Sequence, residues 1–411
     1  MNVELKNRSQ LILGVLFFGW MVSYIDRTAI SLALINIGND LSLTATELGF
    51  VLSAFFFGYA AMQIPGGWLT DKYGMKKLLI GAVIFWSVFT AFTGLAWSLT
   101  SLLFIRFLFG IGEGGYPAAS TKAISIYFHK EKRTNAQTTM MSSNMIGGAV
   151  APIICAPLLL AMDWRNVFFL ISGLGLIFVI ALLWSTKHAQ TFTSEERVEK
   201  EEKGSFGKVL KNTYLMRVLL IFFFINIANW GLNTWMPTYL MKVHGLDLKN
   251  VGFIAAIPAI FGMVGMIISG RIISKLGGRS KYGVIFGSAV LAVCLYLMAT
   301  AGSAAIAITY QSIAFIFVAF MASFIFTTPH RVVNQQNVGT AFGVVNFGGQ
   351  AAGIISPTIM GYLINASGGS FESSFIFLAI MCVIAAVIAV TLPVNHQQQT
   401  TIQSVEEAYE L

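Results

Sequence analysis

From Leu11 to Leu34 the chain holds an apolar run long enough to cross a bilayer as a helix, and eleven more such runs follow. A hydrocarbon core of about 30 Å takes roughly 20 helical residues. Inside it every backbone N–H and C=O must find a partner within its own helix or within a closed sheet. The runs are helix-length and lack the roughly ten-residue alternating segments of a membrane barrel, so helices are predicted. They cover approximately 10–33, 47–70, 78–97, 99–128, 136–161, 165–186, 213–241, 250–274, 281–300, 303–329, 338–364 and 372–393. Only 11% of the 411 residues are charged, against about 25% in soluble domains, and mean hydropathy is +0.74. A soluble fold has nowhere to bury that much apolar surface. The first run is too long for a signal peptide, carries charges and lacks a small-residue cleavage site, so it is read as a span.

Lysine and arginine set the orientation. Arg165, Lys242 and Lys249 fall on one side, and nearly all the remaining extramembrane cations fall on the other. That basic side is expected to be cytoplasmic, with both termini there. The net charge of +8 then reflects topology, and no soluble basic domain exists to bind nucleic acid. Cys155, Cys294 and Cys382 lie singly in apolar runs and read as small core residues. There is no phosphate-binding glycine loop, metal-ligand cluster or Ser-His-Asp arrangement. Neither an enzyme nor an ATP-driven pump is expected, and no cofactor.

The chain divides near its middle. A polar, mixed-charge stretch from Lys187 to Lys211 separates six spans from six. The expected organisation is a bundle over 1–186, a cytoplasmic linker over 187–212, a second bundle over 213–394 and a cytoplasmic tail over 395–411. The halves echo each other: Gly148 and Pro152 recur as Gly353 and Pro357, and Gly67–Gly74 has a weaker counterpart in Gly270–Gly277. The fold expected is an all-α membrane protein of twelve helices in two pseudo-symmetric six-helix bundles, rocking about a central site.

Charges buried in the runs point to that site. Asp26 and Arg27 lie in the first span, Arg106 and Glu113 in the fourth. A charge at mid-bilayer costs about 2.5–3.5 kcal/mol on the mildest scale, so such groups face water or each other. Arg106 and Glu113 are seven apart, two turns along one face, too far for direct pairing in a straight helix. Each therefore needs a partner on another helix, and Asp26 and Arg27 are the candidates. Pro117 cannot donate to the carbonyl of Glu113, and Gly112, Gly114 and Gly115 loosen the same turn. Burial disfavours the charged carboxylate and a nearby arginine favours it. Moving that arginine in and out couples protonation to conformation, which makes Glu113 and Asp26 candidate proton carriers. Arg27 offers a planar fork for a substrate carboxylate, and Asp26 points about 100° away from it. The alternative for all four is permanent ion pairing that fixes helix packing.

Hydrogen-bonding groups for a hydroxylated substrate are available on several spans. Tyr24, Tyr59, Gln63 and Asn144 belong to the first half. Asn226, Asn229 and Asn233 form a stripe on span seven, and Asn346 and Gln350 another on span eleven. Trp230 and Trp235 either line the site or anchor at the interface.

Gly67 to Lys77 (GWLTDKYGMKK) resembles the signature of the major facilitator superfamily. Asp26-Arg27, Arg106 with Gly110–Pro117, and Trp230–Leu240 further resemble its anion:cation symporter family, over essentially the whole chain. That resemblance implies import of a sugar acid such as a hexonate, hexarate or hexuronate by proton symport, in a bacterial inner membrane. It also implies that Arg27 anchors the carboxylate, Asp26 and Glu113 carry protons, and Arg106 tunes the span-four acid. Asp71 is implied as a cytoplasmic gate, although Ser274 stands at the matching second-half position. The span-ten segment Phe326–Arg331 departs from the galactonate-type pattern, and His330 reads as solvated. The expected partners are a small carboxylate, a proton and the bilayer, with a monomeric protein. Two other readings are weighed. Proton-driven drug efflux calls for an apolar cavity without a substrate-facing arginine, which Arg27 opposes. A non-transporting sensor of a sugar acid or sugar phosphate calls for a signalling domain, and the chain has none in view.

Overall fold

The computed structural model describes residues 3–186, 206–276, 279–333 and 338–393, and every regular element among them is a helix. In chain order these are α1 (Val3–Asp40), α2 (Ala45–Tyr73), α3 (Met75–Gly94), α4 (Leu99–Gly114), α5 (Tyr116–Tyr127), α6 (Lys130–Ala161), α7 (Trp164–Thr186) and α8 (Phe206–Leu210). The second half holds α9 (Thr213–Lys242), α10 (Leu248–Ile254), α11 (Ala256–Leu276), α12 (Ser280–Ala299), α13 (Ala304–Thr327), α14 (Pro329–Val332), α15 (Val338–Ala366) and α16 (Glu372–Val390). Ten candidate spans meet the length and hydropathy a membrane crossing needs. The α4–α5 pair and the glycine-rich α15 occupy two further positions, consistent with the twelve expected. Most of the expected linker, and the tail, lie outside the described residues, and α8 sits at the linker's end.

Two spans are broken just ahead of a proline, which withholds a backbone donor from the preceding turn. Pro117 follows Glu113 by four residues, and the helix divides at Gly115 into α4 and α5. Pro258 follows Ile254 by four, and the chain divides at Ala255 into α10 and α11. Elsewhere polar side chains stop the helices cleanly. Thr44 accepts from Glu47 N at 3.3 Å while Glu47 Oε2 accepts from Thr44 N at 2.7 Å, which closes the start of α2.

The packing repeats between halves. α1 packs on α6 and α7, α2 on α4, and α3 on α4 and α7. In the second half α9 packs on α15 and α16, α11 on α13, and α12 on α13 and α16, which is the same set six spans later. The contacts that join the halves obey the same symmetry, α2 on α15 and α10–α11 on α6. The prolines of the Gly-Pro repeat read in the sequence lie at these two seams. A Cβ on Gly49 would stand 2.6 Å from the carbonyl of Pro357, and one on Gly252 would stand 2.9 Å from the carbonyl of Pro152. Both close approaches lie near the starts of α2 and α10. There Thr358 also donates to Ser53 across the interface at 2.8 Å.

Glycine decides how closely α2 meets α4, and so where Glu113 stands. Gly110 lies with its Cα against the carbonyl of Phe55, and Gly58 against that of Phe107, with no room for a Cβ on either. Gly110→Ala therefore pushes two backbones apart, and overpacking of this kind costs about 1–3 kcal/mol. The expected result is a thermal midpoint several degrees lower in detergent. Gly148→Ala, where nothing stands within 4 Å of the added carbon, serves as the control and leaves the midpoint unchanged.

Candidate functional site

Two carboxylates and two arginines meet between α1 and α4. Arg27 Nε donates to Glu113 Oε1 at 2.9 Å, and its Nη2 lies 2.7 Å from the same oxygen without hydrogen-bond alignment. Arg106 Nη1 donates to Asp26 Oδ1 at 2.8 Å. Adjacent residues on α1 thus serve opposite partners, as their 100° separation requires. The arginine on Glu113 is Arg27, whereas Arg106, expected to tune that acid, lies instead on Asp26. Glu113 and Arg106 are each 1% exposed, Asp26 3%, and Arg27 11%, so Arg27 is the member of the four that reaches toward open space.

Each carboxylate is used on one side only. Glu113 Oε1 collects every donor, including the hydroxyl of Ser23, while Oε2 is buried without a partner. Asp26 Oδ2 and Arg106 Nε are likewise buried and unpartnered. Buried polar groups normally find partners, so these atoms are left able to take a further donor or acceptor. Aromatic faces complete the shell. The Arg27 guanidinium lies 4.7 Å from the ring centre of Phe55, 5.0 Å from Tyr59 and 5.2 Å from Tyr24. Arg106 stacks on Phe109 at 4.4 Å and also borders Phe55 at 5.9 Å. Each contact of this kind is worth about 0.5–2 kcal/mol and holds a guanidinium without satisfying its N–H groups.

The other predicted residues divide by helix. Tyr24 and Tyr59 cover Arg27 directly. Gln63 Oε1 accepts from Asn346 Nδ2 at 3.4 Å, a hydrogen bond between the halves, and Gln63 Nε2 is buried without a partner. Asn144 Oδ1 is also buried and unpartnered. On α9, Asn233 is exposed and donates to the carbonyl of Asn229 at 2.8 Å. Asn226 is buried and donates to the carbonyl of Phe222, so that member of the stripe is spent on its own helix. Trp230 donates to the carbonyl of Gly349 and stacks on Phe56 at 4.7 Å, and Trp235 donates to the carbonyl of Pro357. Both indoles therefore make inter-helix contacts, Trp235 buried and Trp230 half-buried. Asp71 pairs with Lys122 of α5 at 2.8 Å, within its own half and largely exposed. The side chains of Ser274 and His330 lie outside those described. Ser23 and Phe55 were not singled out in the sequence. Ser23 sits one turn before Arg27, so helical spacing alone points to it. An apolar groove of about 570 Å³ beside α10, α11 and α13, lined by Ile257, Phe261 and Ile308, lies apart from these charges.

A family model described as the Major Facilitator Superfamily matches residues 16–357. A probable sulfoacetate transporter of Cupriavidus necator is 32% identical, with 91% of each chain covered. A hexuronate transporter of Bacillus subtilis is 31% identical, over 90% of this chain and 91% of its own. Among solved structures, a bacterial homologue of the human lysosomal transporter Spinster, inward-facing and unoccupied, superposes with a TM-score of 0.80. It is 19% identical and covers 93% of this chain and 96% of its own.

Proposed function

We propose, since the chain belongs to the Major Facilitator Superfamily and its relatives transport organic acids, that it imports a sugar acid by proton symport. The observation that carries this reading is the Arg27–Glu113 pair. A substrate carboxylate arriving at Arg27 meets a guanidinium already committed to Glu113. Two carboxylates on one arginine leave one negative charge uncompensated in a site with little water, which is costly. A proton on Glu113 removes that charge and frees the fork. Binding of the anion and uptake of a proton are then one event, and release reverses both.

Asp26 is the second proton site in this reading. Its protonation would loosen Arg106 and with it the hold of α4 on α1. Two protons with one monovalent anion move net positive charge inward, and a membrane potential then contributes about 2.3 kcal/mol per charge per 100 mV. The distribution of lysine and arginine supports both termini and the linker inside. A bacterial inner membrane, a monomer, and 1–186 and 213–394 as the moving bodies complete the reading. Asp71 would then stand at the cytoplasmic mouth, exchanging Lys122 for a partner in the other half as that side closes.

The test is uptake and current in proteoliposomes. Adding a hexuronate at an acidic outer face is expected to give saturable accumulation and an inward positive current on a solid-supported membrane. Accumulation without current rejects the two-proton form. Accumulation indifferent to an imposed pH gradient rejects proton coupling altogether.

A further inference from the structure

We propose that the transported anion carries a single negative charge together with several hydroxyls, and is not a dicarboxylate or a sulfonate-carboxylate. This rests on the reading of Arg27 as the carboxylate anchor. Among the described residues, two guanidiniums lie at mid-membrane depth between α1 and α4, and they are not equivalent. Arg106 is 1% exposed, bonded to Asp26 and covered by the ring of Phe109. Arg27 is 11% exposed and holds its one carboxylate partner by one oxygen only. Arg27 is therefore the one fork that a proton on Glu113 would free for substrate, and one carboxylate fills it.

What surrounds that fork is neutral and bifunctional. Tyr59, on the face of Arg27, is one turn from Gln63, whose Nε2 is buried without a partner. Gln63 Oε1 meets Asn346, and one turn further along α15 Gln350 keeps a buried, unpartnered Oε1. Tyr24, also on Arg27, lies against Gly147 of α6, three residues from Asn144 with its unpartnered Oδ1. One donor and two acceptors thus come from three helices, Gln63 on α2, Asn144 on α6 and Gln350 on α15. A hydroxyl both donates and accepts, so a polyol chain extending from a carboxylate on Arg27 satisfies all three. A second carboxylate or a sulfonate only accepts, and would place its charge among amides whose contacts, among the described residues, include no cation.

The two relatives described above differ in this very property. Sulfoacetate carries two anionic groups and no hydroxyl, whereas a hexuronate carries one carboxylate and several hydroxyls. Near-equal identities of 32% and 31% do not choose between them, and the amides favour the second.

Galactonate and galactarate make the sharpest probe, because they share a carbon skeleton and differ at one terminal carbon, hydroxymethyl against carboxylate. With the purified full-length protein at pH 7, calorimetric or competition binding is expected to favour galactonate over galactarate at least tenfold, with sulfoacetate no tighter than galactarate. Gln350→Ala is expected to weaken galactonate at least fivefold without moving the thermal midpoint. Galactarate or sulfoacetate binding as tightly as galactonate overturns the single-charge inference and leaves carboxylate transport standing. Unchanged galactonate affinity in the Gln350 variant overturns the assignment of the amides. Failure of all three anions and of a hexuronate to bind overturns the sugar-acid reading itself.

Discussion

Arg27→Ala abolishes saturable uptake of the anion, and Arg27→Lys does not restore it. Hydrogen bonds to charged groups contribute about 1.5–3 kcal/mol each, so losing a two-pronged contact lowers affinity by roughly a hundredfold or more. Lysine returns the charge as a point, without the planar fork and without the flat surface that Tyr24, Phe55 and Tyr59 enclose. A second effect accompanies the first. Removing Arg27 leaves Glu113 as a buried carboxylate whose remaining donor is the hydroxyl of Ser23, and breaking a buried pair this way costs about 3–5 kcal/mol. Protonation of that carboxylate removes the penalty, so the loss of stability in Arg27→Ala is larger at pH 8 than at pH 5. The double variant Arg27→Ala with Glu113→Gln recovers the thermal midpoint but not uptake. Uptake that survives in Arg27→Ala removes this residue from the substrate site. A midpoint deficit that does not change with pH removes the buried anion as its cause.

Much of this arrangement was legible before any coordinates. Apolar run length fixed the spans because lipid permits few alternatives to a helix, and the observed ends lie within a few residues of those expected in most spans. The break after Glu113 followed from Pro117 and its glycines, and α4 ends one residue beyond the acid. The repeat of Gly148 and Pro152 as Gly353 and Pro357 showed that the halves echo each other, but not that the carbonyls of Pro357 and Pro152 would lie against Gly49 and Gly252 of the opposite half. The partners of the four charges were half legible. Spacing along α4 required Arg106 and Glu113 to look elsewhere, and charge complementarity leaves Asp26 for Arg106 and Arg27 for Glu113, as observed. That both pairs form depends on how α1 stands against α4 and α5, to which Tyr116, donating to the carbonyl of Leu16, contributes. No one-dimensional pattern carries that register. The same holds for Trp230 and Trp235, whose composition suits a membrane interface as well as a seam.

Glu113→Gln separates transport from its driving force. Glutamine keeps the shape of the protonated acid and cannot ionise, so the variant stands permanently in the state that releases Arg27. Anion binding therefore persists, and exchange of labelled for unlabelled substrate across a membrane continues. Proton-driven accumulation stops, because the cycle no longer takes up and returns a proton at this position. Linkage gives the sign of the accompanying pH effect. In the wild type, where binding takes up one proton, affinity falls about tenfold for each pH unit above the range in which Glu113 is protonated. In Glu113→Gln that slope disappears, and above that range the variant binds more tightly than the wild type. Binding by calorimetry from pH 5 to pH 9, beside counterflow and gradient-driven uptake in proteoliposomes, measures all three consequences. If Glu113→Gln still concentrates substrate against its gradient, the proton is carried elsewhere, and Asp26 alone becomes the coupling site. If it neither binds nor exchanges, the carboxylate serves the substrate directly, and its pairing with Arg27 is a resting contact with no part in coupling.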